Sequence, residues 1–104
     1  MDNLIPSMFL THASDILGDT NDGLSGSNIM KAFTAYAYDL NIDIPYSSNL
    51  SKAPNKRTAL LENLKRFPPE QQYKIIRELC EHPKLPQPIV DKINNLKIQL
   101  IARY

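Results

Sequence analysis

Eight prolines set the limits on where this chain can be helical. A proline has no amide hydrogen to donate, and its ring fixes φ and pushes the preceding residue out of the helical region. Pro45, Pro54, the pair Pro68-Pro69 and the cluster Pro83, Pro86 and Pro88 fall between segments whose apolar residues recur at helical spacing. From Leu4 to Leu17 the recurring residues are Ile5, Phe9, His12 and Ile16, with Met8 beside them. The turn residues Gly18 to Gly23 break that pattern. A second helix is predicted after Ser25-Gly26-Ser27, where a serine hydroxyl can accept from a free amide, with Ile29, Phe33, Tyr36 and Leu40 as its stripe.

Residues 41–54 read as a loop of about 14 residues, longer than most connections. Asn55 is a good N-cap for a third helix that runs to Phe67 and places Leu60, Leu61, Leu64 and Phe67 on one side. Pro68-Pro69 ends it and opens a fourth, since a missing N–H costs nothing in a first turn. There Glu70 suits the positive end of the helix dipole, and Tyr73, Ile76, Leu79 and Cys80 form the buried side. A fifth helix, Pro88 to Arg103, carries Ile89, Ile93, Leu96 and Leu100. No segment alternates with period two between hairpin turns. The predicted fold class is all-α: a compact bundle of about five helices.

A chain of 104 residues is one domain, 1–104, and 42% hydrophobic with 22% charged residues is ordinary globular composition. No apolar run is long enough for a membrane span. The first ten residues lack the pattern of a signal peptide, and the lone Cys80 cannot form an internal disulfide, so a cytoplasmic protein with no membrane partner is expected. Asn49-Leu50-Ser51 matches a glycosylation pattern that carries no meaning in that compartment.

The formal charge of +1 conceals a division. Residues 1–50 hold six acids and the single base Lys31, a net of −5, while residues 51–104 hold five acids and eleven bases, a net of +6. Such halves can pack against each other within one chain. They can also meet head to tail between copies, a heterologous contact that builds rings or filaments. A nucleic-acid interface is the alternative use of the basic half, and it requires the bases to converge on one face. Glu62 with Arg66 and Glu70 with Lys74 have instead the i, i+4 order of a solvated helix face.

Chemistry-bearing groups are sparse. Cys80, His82 and His12 fall short of the four ligands of a structural zinc site. Asp19 to Gly23 resembles a calcium loop only in part: with Gly23 at position 6, Gly18 and Ile29 occupy positions that need acids. Cys80, Glu81 and His82 have the residue types of a nucleophilic triad, but helix neighbours one and two apart point in different directions. Gly18, Gly23 and Gly26 make no phosphate-binding loop. Neither catalysis nor a cofactor is expected.

Three segments resemble the helical N-terminal domains of bacterial abortive-infection and other anti-phage defence proteins: Leu24-Ser25-Gly26-Ser27-Asn28-Ile29, Asn55 to Leu64 (NKRTALLENL) and Tyr73 to Cys80 (YKIIRELC). The resemblance covers roughly residues 24–103. It implies an accessory domain that recruits, oligomerises or regulates a fused effector or sensor domain, and the last helix, running to the end of the chain without a C-cap, fits an excised domain. The expected function is therefore that of a non-catalytic helical adaptor for protein–protein contact or self-association. The exposed bases Lys56, Arg57, Lys65 and Arg66 are expected to face acids such as Asp39 and Asp43 on a partner. A small nucleic-acid-binding domain is the alternative.

Overall fold

A computed structural model describes residues 5–19, 22–46 and 55–103. Leu4, Asn49 to Ser51, Lys52 and Pro54 lie outside the described residues, and so does the whole second half of the predicted loop. The chain folds as α1 (Ser7–Leu17), α2 (Gly26–Leu40), α3 (Lys56–Leu64), α4 (Pro69–Cys80) and α5 (Val90–Arg103), with a 3₁₀ turn at Gln87–Ile89 leading into α5. No strand occurs among the described residues, so the all-α bundle of five helices is the observed architecture.

The predicted helix starts at Ser25, Asn55 and Pro69 are made as the side chains dictate, but α3 stops at Leu64 rather than Phe67, its last residues before Pro68 forming a turn. Ser25 Oγ accepts from the amide of Asn28 at 3.1 Å, and Asn55 Oδ1 accepts from that of Thr58 at 2.8 Å. Pro69 stands in the first turn of α4 with Glu70 beside it. α1 begins at Ser7 rather than Leu4, because Pro6 is extended (ψ 148°) and serves as its N-cap. α2 stops at Asn41, which adopts the left-handed conformation (φ 53°), and the amide of Ile42 then reaches back to Ala37 O at 3.0 Å.

One contiguous core joins all five helices. α1 packs most extensively on α3, α4 on α5, and α2 on α3. Phe33 of α2 lies 6.0 Å from Phe67 between ring centroids, and Tyr36 stands edge-on to Phe33 at 6.1 Å. Leu60, Leu64 and Phe67 of the predicted α3 stripe and Ile93, Leu96 and Leu100 of the α5 stripe are nearly or wholly inaccessible, while Leu61 is only half-buried.

The buried face of α1 differs from the predicted one. Phe9, Leu10, Ala13, Ser14 and Leu17 are buried, while His12 is exposed, Ile16 is half-buried and Met8 is 85% exposed. The helix turns its small residues toward α3 so that the two backbones approach. A Cβ on Gly18 would sit 3.1 Å from Arg57 Cα. The following turn is equally tight. Leu24 N donates to Leu17 O at 2.8 Å, Asp22 N donates to Asp19 Oδ1 at 2.9 Å, and a Cβ on Gly23 would lie 2.4 Å from Asp19 N.

Three polar residues lie inside this core. Asn63 is fully buried, and its amide brackets one residue of the chain after α2: Nδ2 donates to Tyr46 O and Oδ1 accepts from Tyr46 N, both at 3.0 Å. Gln72 Nε2 donates to Leu64 O at 3.2 Å, a carbonyl at the end of α3 that also accepts the Phe67 amide at 3.2 Å. Ser14 Oγ has no hydrogen-bond partner among the described residues.

These two kinds of buried polar group respond in opposite directions to the same substitution. Asn63→Ala strands both Tyr46 groups and is expected to cost about 2–4 kcal/mol, whereas Ser14→Ala removes an unsatisfied hydroxyl and is expected to be neutral or stabilising by about 1 kcal/mol. Urea unfolding of the two variants beside the parent protein measures both.

Candidate interaction site

The residues expected to carry contact do not form one surface. Lys56 opens α3 half-buried, and its Nζ donates to Leu24 O at 2.9 Å, across to the loop before α2. The expectation of an exposed base is corrected here: the side chain is held inside the fold because the close approach of α1 and α3 brings Leu24 within reach. Arg57 is exposed, in a cleft of about 240 Å³ that also holds Asp15, Asp19, Asp22 and Lys92. Lys65 lies in the turn after α3 and pairs with Glu62 at 3.5 Å. Glu62 thus meets the residue three along rather than Arg66, since α3 ends at Leu64 and the i, i+4 geometry ends with it. Arg66 is exposed in the same turn.

In the cleft that Arg57 lines together with Asp15, Asp19 and Asp22, residues from the two halves of the charge division share one surface within the chain. Farther along the basic half, bases alternate with carboxylates. Glu81 binds Lys97 and lies 3.9 Å from Arg77, and the Lys97 ammonium holds the Glu81 carboxyl below the usual carboxylate range. Glu78, four residues after Lys74, accepts the Tyr36 hydroxyl at 2.7 Å and so ties α4 to α2.

Asp39 and Asp43 are both exposed, at the C-terminal end of α2 and just beyond it. Between and beside them stand Tyr38, 87% exposed, and Leu40, 36% exposed. Ile29, Phe33 and Tyr36 set the inward face of α2, and Tyr38, two residues past Tyr36, is turned away from it. Leu40, on the stripe by its spacing, is exposed at the last position of α2. No base occurs between Ala35 and Tyr46. The result is an aromatic and acidic tip. Sequence reasoning chose its acids but missed Tyr38, whose signal is a large aromatic residue off the apolar stripe.

The groups considered for catalysis and metal binding are apart or occupied. Cys80 is buried at the end of α4, and burial pushes its thiol up to about 12, leaving it protonated and unreactive at neutral pH. His82 Nδ1 accepts from the amide of Lys84 at 3.0 Å. Among the described residues, no three His, Cys, Asp or Glu side chains gather as a metal site requires, and no helix is long and apolar enough to cross a membrane.

No family model matches this chain, and no curated protein or solved structure matches it either. The motifs behind the resemblance to defence-protein domains do structural work here: Ser25 and Asn55 cap helices, and Ile29, Leu60, Leu64, Ile76 and Leu79 fill the core.

The Tyr36–Glu78 bond makes stability pH-dependent at the alkaline end. Burial, then the bond to the Glu78 carboxylate, raises the Tyr36 hydroxyl above its ordinary value of 10.0. A raised folded-state value means that the stabilisation is complete below pH 10 and is lost as the pH rises past it. Tyr36→Phe is expected to cost about 1 kcal/mol at neutral pH. It should also flatten the decline above pH 10, as followed by thermal unfolding against pH.

Proposed function

We propose that this chain is a non-catalytic helical interaction module that associates with copies of itself through the tip of α2. The observation that carries the reading is the exposure of Tyr38 beside Leu40, Asp39 and Asp43. Aromatic side chains are enriched at the centres of protein interfaces, where burying them recovers the hydrophobic free energy they forgo in water. The acids around it supply orientation and association rate more than affinity. The sequence resemblance supports the same role in a setting: an accessory domain of an anti-phage defence protein in the cytoplasm, recruiting, oligomerising or regulating an effector or sensor domain.

Light scattering from micromolar to millimolar protein tests the reading. The mean mass should rise with concentration and fall with added salt, because screening weakens exposed charge pairs. Tyr38→Ala combined with Asp39→Lys and Asp43→Lys should weaken association roughly tenfold or more. A parent chain that stays monomeric at millimolar concentration and low salt overturns it.

A further inference from the structure

A trough runs along the seam between α1 and α5. Two adjoining cavities of about 320 and 380 Å³ share His12 and Gln99 and so form one depression. Phe9, Ile16 and Leu96 give it an apolar lining, and Met8 stands almost fully exposed at one end. Lys92, Arg103 and His12 edge it, with the amides of Asn95 and Gln99, and no carboxylate lines either cavity among the described residues. The trough is thus apolar within and basic at the rim.

The α2 tip has the complementary character: Tyr38 and Leu40 as apolar groups, Asp39 and Asp43 as charges, and no base within its own segment from Ala35 to Tyr46. Within one chain the two features belong to different helix pairs, since α2 packs on α3 and the trough lies between α1 and α5. We infer that the trough receives the α2 tip of a second copy of this chain, so that copies associate head to tail. This rests on the reading of α2 as the contact element and adds the surface that accepts it. Tyr38 supplies the group that enters, and the rim cations meet Asp39 and Asp43. Lys92 also borders the cleft of Arg57, Asp15, Asp19 and Asp22, whereas Arg103 edges the trough away from those carboxylates. Because the contact joins unlike surfaces, an open assembly keeps one free tip and one free trough at its ends, and only closure into a ring fills both.

Two variants that leave different surfaces intact test this. Lys92→Glu with Arg103→Glu spoils the trough and keeps the tip, and Tyr38→Ala with Leu40→Ala spoils the tip and keeps the trough. All four positions are on the surface or partly so, and an unchanged helical circular dichroism spectrum verifies the fold. Each variant alone should be monomeric where the parent associates, and an equimolar mixture should form a 1:1 dimer that grows no further. Arg103→Lys, which keeps the charge, should associate within a few-fold of the parent. If the trough variant associates like the parent while the tip variant does not, the trough is wrong and the α2 reading stands. If neither variant changes the association of the parent, both fall. A parent that stops at a dimer of fixed mass overturns the head-to-tail geometry.

Discussion

The last turn of α1 lies backbone against backbone on the first turn of α3, and much of the molecule follows from that contact. It exists because Ser14 and Gly18 put little between the two helices. Once α1 is that close, Lys56 can reach the carbonyl of Leu24, the turn from Leu17 to Leu24 closes on itself, and Ser25 is presented as the cap that starts α2.

The extent to which the fold was legible divides along a physical line. Helix boundaries set by caps and prolines were readable, because Ser25, Asn55 and Pro69 act through their own short-range chemistry. The faces of α3 and α5 were readable because large aliphatic residues at helical spacing have one way to leave water. The face of α1 was not. Periodicity weights large apolar residues, while here burial followed the small ones that allow a close approach, and Met8 and His12 were left outside. The two amide side chains of the core, Asn63 and Gln72, gave no local signal, since their partners Tyr46 and Leu64 are settled only by the tertiary fold.

The candidate site was legible as charge and not as shape. The acids Asp39 and Asp43 are on the surface where their sequence neighbourhood put them, but a tally of bases cannot separate Lys56, spent on a carbonyl, from Arg66, exposed in a turn. The trough residues come from the two ends of the chain, and no spacing rule links His12 to Gln99. A net charge near zero therefore describes three situations at once: opposite charges lining one cleft at Arg57, pairs such as Lys97 with Glu81, and an acidic tip whose own segment carries no base.

The burial of Cys80 has a practical side. The chain contains a single cysteine, and its thiol is enclosed and held protonated, so the folded surface behaves as if it had none. A cysteine introduced at a surface position such as 38 would be the only thiolate available to a maleimide or a spin label. The molecule thus accepts a site-specific probe at its exposed aromatic tip without any change to its native core.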